Sequence, residues 1–539
     1  MPRMTGGEAI VASLLAHGID TVFGLPGVQL YGLFDALARE ANRIRVINAR
    51  HEQGVAYMAL GAAASTGKPA VYSVVPGPGV LNTTAALATA AGINAPVLCV
   101  TGQVPSSFLG RGRGHLHELP DQLATLRTLA KRAERIEDAE AAPRLVAEAF
   151  QTMMAGRRGP ATLEMPWDKF QEAGEVTPVD PLPAIAPPAP DPTRITEAAK
   201  LALAAKAPLI VVGGGAVAAG DAVRALAERL GAPVVSYRSG RGVLGDDHPL
   251  SITVAAVHAL WPKTDLVIGI GSRLEGPGWR WTRQAAPAKL IRIDIDPVEM
   301  RRLPADVALV ADAPAATAAL VAALGLGAAP GRREDVANAK RAAAALITEA
   351  RPHYEYLQKI RAALPADGFL VDEMCQAGYT SWFAFPVHRP RTIISSGFQG
   401  TLGSGFPTAL GVAAANPGRK VISITGDGGF LFGATELATA MQFRLGVTVI
   451  VFENGAYGNV KRDQQRLFEG RHAGADLANP DFVRFAESFG VPGFRVERDA
   501  DFADTLAAAL DVNGPALVHV RTKLAEEVSP WRFIAPSRP

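Results

Sequence analysis

The amino-acid sequence predicts an α/β protein built from three doubly wound parallel-sheet domains. Three observations lead there. A chain of 539 residues exceeds what one hydrophobic core can hold, and at roughly 150–200 residues per domain it divides into three. Short runs rich in β-branched residues alternate along it with Ala- and Leu-rich amphipathic segments. Two composition breaks interrupt that alternation.

Residues 1–170 hold VYSVV at 71–75 and VLCV at 97–100. Runs with so little polar alternation are the mark of strands covered on both faces, with helices as crossovers. From 171 to 193 the chain is dense in proline (Pro178, Pro181, Pro183, Pro187, Pro188, Pro190, Pro192) and reads as a stiff linker. Residues 194–325 hold LIVVG at 209–213 and LVIGIG at 266–271. The second break, LGLGAAPGRR near Gly325 to Arg333, precedes an Ala-rich helical stretch. Residues 350–539 hold VISIT at 421–425 and VTVIVF at 447–452. Parallel sheets bind ligands beyond the carboxyl ends of their strands, so the loops after these runs are where chemistry is expected.

Hydrophobic content of 48% with 20% charge belongs to a folded globular chain rather than a disordered one. The 54 basic and 52 acidic residues leave a net charge of +2 with no long run of either sign, which argues against nucleic acid as a partner. Cys99 and Cys375 are too few for a disulfide framework or a thiolate metal site, and fit a reducing cytoplasm. MPRMTGGEAI lacks the pattern of a secretory leader, and no apolar run reaches the roughly 18–20 residues that span a bilayer.

The strongest chemical signal lies in the last block. There VISIT leads into Gly426-Asp427-Gly428-Gly429, a helix presenting Leu437, Ala438 and Met441 follows, and a second strand ends at Glu453-Asn454-Gly455. A right-handed crossover puts both strand ends on one sheet edge, so Asp427 and Asn454 can share an ion. A carboxylate, an amide oxygen and backbone carbonyls are hard donors that suit Mg²⁺ or Ca²⁺, and Mg²⁺ completes its octahedron with phosphate oxygens. Glycines let backbone N–H groups approach such a phosphate. A lone GDG is a common turn; here twenty-five residues separate Gly428 from Asn454, the interval of the thiamine-diphosphate motif.

Further motifs accompany it in order: FGLPG at 23–27, RHEQGVAYMALGAAASTGKPAV at 50–71, VPGPGVLN at 75–82, GPATLEMPWD at 159–168, GTLGSGFPTALG at 400–411, GDGGF at 426–430 and NGAYG at 454–458. Through them the chain resembles the acetolactate synthase and benzoylformate decarboxylase family of thiamine-diphosphate enzymes along nearly its whole length. The resemblance implies pyrimidine-binding, central Rossmann-like and diphosphate-binding domains. It implies that Glu52 contacts the aminopyrimidine, favouring the imino tautomer whose nitrogen takes the thiazolium C2 proton. Pro78 and Asn82 match positions that pack on that ring, and Leu402 matches the apolar wedge beneath the cofactor. Met374, Gly400, Gly426, Gly428, Gly429, Tyr457 and Gly458 match cofactor contacts, and Asp427, Asn454 and Ala456 match metal ligands. The family also implies a homodimer or homotetramer with active sites at the dimer interface.

Pocket candidates by matching are Val28, Gln29, His115, His117, Gln399 and Asp463, with Trp531 and Phe533 in SPWRFIAP as a lid. The two histidines could shuttle protons near neutral pH. The chain departs from biosynthetic acetohydroxyacid synthases at Asp463, where those have a tryptophan, and at Leu402, where they have methionine. Glu453 also replaces the first residue of an Asn pair whose second member, here Asn454, is the metal ligand.

In the middle block VVGGGAVAAG at 211–220 imitates a dinucleotide fingerprint, but the next strand, VVSYRSG, brings no acid for a ribose, and a structural turn is favoured. LIRIDIDP, with Asp294 and Asp296, matches the family's central domain, which holds FAD in some members, ADP in others and neither in the rest; the sequence leaves these open. The implied function is Mg²⁺- and thiamine-diphosphate-dependent decarboxylation of a small-molecule 2-oxo acid, releasing an aldehyde or ligating to a carbonyl acceptor. The alternatives are cleavage of a 2-hydroxyacyl-CoA or 2-hydroxyketone, and a silent cofactor-binding paralogue. Keeping Glu52, Asp427 and Asn454 together argues for the enzyme.

Overall fold

The computed structural model describes residues 1–281, 288–325 and 332–535. The second composition break, at 325–333, lies largely outside the described residues, as does the end of the SPWRFIAP tail from Pro536.

Three six-stranded parallel sheets carry the fold. Near the start β1 (Arg3–Thr5) pairs antiparallel with β8 (Ala173–Glu175). Between them β2 (Thr21–Gly24), β3 (Arg45–Ile47), β4 (Ala70–Val74), β5 (Val97–Gln103), β6 (Arg132–Arg135) and β7 (Ala161–Pro166) form the first sheet, in the order β3-β2-β4-β5-β7-β6. The second sheet contains β9 (Pro208–Val212), β10 (Val234–Ser236), β11 (Ser251–Ile252), β12 (Leu266–Ile270), β13 (Lys289–Asp294) and β14 (Val307–Val310), ordered β11-β10-β9-β12-β13-β14. The third contains β15 (Phe369–Val371), β16 (Ile393–Ile394), β17 (Val421–Gly426), β18 (Val447–Glu453), β19 (Gly493–Val496) and β20 (Ala516–Arg521), ordered β16-β15-β17-β18-β20-β19.

The continuous apolar runs are explained by burial: every residue of β4, β5, β9 and β12 is enclosed. VLCV proves to be only the start of β5, which runs on through Thr101 and Gln103 because their polar side chains find buried partners, the Val74 carbonyl and the Glu164 carboxylate.

Six helices position the candidate site: α1 (Glu52–Thr66), α2 (Pro78–Ile93), α3 (Gly405–Ala415), α4 (Asp427–Gly433), α5 (Leu437–Gln442) and α6 (Gly458–Leu467). His51 caps α1 by accepting the Gln53 N–H at 3.1 Å, and Gly67 ends it at φ 71°. Helices α1 and α3 tie the first sheet's layer to the third's. They cross at contact distance, since a Cβ on Gly61 would stand 2.0 Å from the Thr408 carbonyl and one on Gly411 would stand 1.8 Å from that of Met58.

Two local expectations are corrected. Gly426–Gly429 is not a free turn: β17 runs to Gly426 and α4 starts at Asp427. The single helix expected after it is split into α4 and α5 by a 3₁₀ turn at Ala434–Glu436, and its enclosed face carries Leu437 and Ala440, with Ala438 and Met441 only partly covered. The break turns Glu436 toward the first sheet, where its carboxylate accepts the Arg50 and His51 N–H groups at 3.0–3.1 Å.

Candidate active site

Beyond the first sheet's strands, Glu52 opens α1 and its Oε2 accepts the Asn82 amide N–H at 3.0 Å. Asn82 lies in α2, one turn after Pro78 begins that helix, where proline's fixed φ and missing N–H cost nothing. A second group approaches the same turn. The Gln29 side chain, fully enclosed, donates from Nε2 to the Leu116 carbonyl at 3.1 Å and meets His117 Nδ1 through Oε1 at 3.1 Å. The His117 carbonyl comes so close to Gly77 that a Cβ there would stand 2.5 Å from it. Gln29, His117 and Pro78 are thus brought together, with Val28 beside Gln29 in the 3₁₀ turn Val28–Leu30. His115 takes another place, with its ring 4.9 Å from Phe108 and 6.5 Å from Trp167.

On the third sheet, Asp427 is 2% exposed. Its Oδ1 accepts the Gly428 N–H at 3.0 Å, and its Oδ2 accepts the Gly455 N–H and the Asn479 amide, both at 2.8 Å. Burial pushes its carboxyl above the ordinary range against these bonds. Among the described residues no cationic side chain pairs with it. Asn454 turns Oδ1 to the Ala456 N–H at 3.1 Å and donates from Nδ2 to both oxygens of Glu527 at 3.2 Å. The Tyr457 ring covers Gly428, where a Cβ would stand 2.5 Å from it, and one on Gly458 would stand 2.7 Å from Asn454 Nδ2. Both glycine-flanked loops therefore meet, as their spacing predicted.

Asn479, Glu527 and His519 are parts of this site that sequence reasoning missed. Asn479 donates to Asp427 and also to Glu453, 3.2 Å away, while His519 Nε2 meets Glu453 Oε2 at 2.7 Å. Glu527 accepts from Asn454, Thr522 and Arg462 and meets His353 Nε2 at 3.3 Å. Burial alone would raise its carboxyl; hydrogen bonds from His353, Asn454 and Thr522 and the His353 charge hold it below its ordinary value. No local motif marks any of the three.

Among the remaining candidates, Met374 and Gly400 are neighbours, since a Cβ on Gly400 would stand 3.5 Å from Met374 Sδ. Leu402 is half-buried two residues on, and Gln399 is exposed. Asp463 lies half-buried in α6, 3.6 Å from Arg466. Trp531 is half-buried, its ring 5.3 Å from Tyr379. Phe533 is fully buried and stacked on Phe383 at 4.7 Å, which makes it a core ring and not the expected lid. Among the described residues no hydrogen bond joins the Glu52–Asn82 pair to the Asp427–Asn454 loops.

A cavity of about 350 Å³ opens among the three sheets, lined in part by Gly213–Gly215, Arg157, Arg273, Asp294 and Arg391. Gly215 packs directly on Gly271, so the glycine-rich turn is a structural close approach that also walls this cavity. Asp294 points to it, its carboxyl raised by burial, whereas Asp296 accepts the Val298 N–H and caps the helix after β13.

Three parallel sheets with an acid at a helix start on the first and a GDG and Asn-Gly loop pair on the third define a thiamine pyrophosphate enzyme. The family described as "Thiamine pyrophosphate enzyme" matches with its N-terminal TPP binding domain at 4–125, its central domain at 195–320 and its C-terminal TPP binding domain at 375–520. The large subunit of acetolactate synthase isozyme 1 from Escherichia coli is 33% identical, covering 98% of this chain and 96% of its own. A probable 2-ketoarginine decarboxylase from Pseudomonas aeruginosa is 34% identical over 96% of this chain and 94% of its own. A probable acetolactate synthase large subunit from Methanocaldococcus jannaschii is 32% identical over 97% and 93%. The chain belongs to the thiamine pyrophosphate enzyme family and is acetolactate-synthase-like, an enzyme of the carboligase and decarboxylase type.

Proposed function

We propose that the protein decarboxylates a 2-oxo acid with thiamine diphosphate and Mg²⁺, releasing an aldehyde or ligating the remaining unit to a carbonyl acceptor. The observation that carries this reading is Asp427, an enclosed carboxylate served by neutral donors alone beside the Asn454 amide oxygen. A buried acid without a cation fits a divalent ion. Asp427, Asn454 and the Ala456 carbonyl would hold it. When bound, the cofactor supplies the electron sink that lets a carboxylate leave as CO₂.

The chain's own residues do the rest. Asn82 holds the Glu52 carboxylate in place to receive the pyrimidine ring, and Leu402 supports that ring from the third sheet's side. Val28, Gln29, Gln399, Asp463 and Trp531 are the substrate's neighbours in this reading, with His117 holding the mobile proton. Among the described residues Glu52 and Asp427 share no hydrogen-bonded group, and in this reading a site that uses both is completed by a second copy. Exposed Leu81 beside Asn82, and exposed Leu431 and Phe432 on α4, supply apolar surface for that contact. The central cavity, with Arg157, Arg273 and Arg391 in its walls, suits the diphosphate of FAD or ADP.

Asp463 favours a second reading of the substrate, a 2-oxo acid with a cationic side chain. A half-exposed carboxylate, with Arg466 3.6 Å away, would be open to such a cation, and the Pseudomonas relative is named for 2-ketoarginine. CO₂ release from pyruvate, benzoylformate and a guanidino 2-oxo acid tests both readings at once. Release from one of them, lost in Glu52→Gln, is the expected result; no release from any 2-oxo acid overturns the proposal.

A further inference from the structure

Glu373 lies two residues beyond β15 and is 1% exposed. Its Oε1 accepts the Gly403 N–H at 2.6 Å, and its Oε2 accepts the Thr425 hydroxyl at 2.7 Å. The Gly405 N–H at the start of α3 also donates to it. A Cβ on Gly429 would stand 2.0 Å from Oε1, so the carboxylate fills the space that this glycine leaves open. Among the described residues it has no ion pair. Burial raises its carboxyl, and the three donors offset part of that cost.

These contacts add directional bonds between two segments that also pack together, Gly403 against Phe432 and the Phe406 ring 5.7 Å from that of Phe430. Gly403 directly follows Leu402, and Thr425 precedes Gly426-Asp427 at the end of β17. The next residue, Met374, packs beside Gly400 at the other end of the Leu402 loop. A fully enclosed acid without a cation is costly, and an apolar side chain there would be the cheaper choice for stability alone. What the acid adds is directional: it fixes the loop around Leu402 at one height above the loop of Asp427.

We propose that Glu373 is a positioning residue that locks the Leu402 loop to the Thr425–Gly429 segment, so that cofactor wedge and metal loop act as one rigid unit. This rests on the thiamine-diphosphate reading above. In this role the carboxylate acts through Gly403 and Thr425. A positional error of this kind reduces proton removal at the cofactor even when binding is complete.

Two measurements on the full chain test it. The first is backbone amide hydrogen exchange of residues 400–405 without cofactor, which should speed up in Glu373→Ala, stay near wild type in Glu373→Gln, and speed up in the near-isosteric Thr425→Val, which spares the fold should the alanine variant fail to fold. The second is exchange of the cofactor C2 proton at saturating thiamine diphosphate and Mg²⁺. Glu373→Ala and Thr425→Val should each slow it about 10-fold or more, with Glu373→Gln restoring most of the rate. Added to Leu402→Ala, either substitution should slow it no further, because both act through the same wedge. Unchanged amide exchange in both Glu373→Ala and Thr425→Val, normal C2 exchange in them at saturation, or slowing that adds to that of Leu402→Ala would each overturn the proposal. If the wild-type chain bound no thiamine diphosphate, the cofactor reading would fall, while the amide measurement would still decide whether the clamp exists.

Discussion

A Cβ on Gly54 would stand 2.5 Å from Oε1 of Glu436, so the glycine of RHEQG is the space through which an acid from the third sheet's layer reaches α1. That acid accepts the Arg50 and His51 N–H groups immediately before Glu52 and is itself held by the Thr439 hydroxyl. Gly54→Ala should push Glu436 off these donors and cost about 1–3 kcal/mol in a denaturant titration. Equal stability of the variant and the wild type would show that Glu436 can retreat without loss.

Asp372 makes stability depend on pH. Burial pushes its carboxyl up to about 7, against a hydrogen bond from the Trp382 indole N–H at 2.9 Å. Its folded value lies above its unfolded one, so the folded state binds the proton more tightly. The stabilisation is complete below the ordinary carboxylate range and is lost as pH rises toward 7. Thermal melting of the wild type should therefore lose ground between about pH 4 and 7 relative to Asp372→Asn, which keeps the acceptor for Trp382 and cannot ionise. Parallel curves for the two proteins would assign the pH dependence elsewhere.

Legibility differed between strands, loops and long-range acids for physical reasons. VISIT and VTVIVF were readable because enclosure on both faces leaves only apolar residues, a pattern visible in five or six letters. Asp427 and Asn454 were readable because two glycine-flanked turns lie at a motif's interval, and both stand where a strand ends. Glu373, Glu436 and Glu527 were not, since each looks like a solvated glutamate until a partner arrives from far along the chain, such as Gly403, His51 or Asn454. The split between α4 and α5 was hidden for the same reason, because the helix breaks to send Glu436 to α1. His115 and His117 look alike in one loop; the left-handed backbone of His117, φ 64°, its Gln29 contact and the Phe108 ring beside His115 separate them.

Glu527 orients Asn454 by taking both bonds from its amide nitrogen, which leaves the amide oxygen facing away from the carboxylate. Glu527→Ala should free that amide to rotate and weaken binding of Mg²⁺, read with Mn²⁺ as probe, by about 10–100-fold. Glu527→Gln should fall between, as its oxygen can still accept one bond. Unaltered Mn²⁺ affinity in the alanine variant would remove Glu527 from the metal's support.

Gln29 decides which nitrogen of His117 carries a proton. The Leu116 carbonyl can only accept, so Gln29 must turn its Nε2 toward it, and its Oε1 is left facing His117 Nδ1. An amide oxygen also only accepts, so Nδ1 holds the hydrogen and Nε2 is left without one, the nitrogen that in the proposed reaction would take or give a proton at the substrate. Gln29→Leu keeps the volume enclosed but removes both bonds, freeing the imidazole to change tautomer and the loop to leave Gly77. The expected result is a fall of about 10–100-fold in kcat with little change in KM, because the proton and not the substrate has lost its place. His117→Gln should give the same fall, and the double variant should add nothing, since the two side chains act as one unit. A rise in KM alone would instead make Gln29 a wall of the pocket.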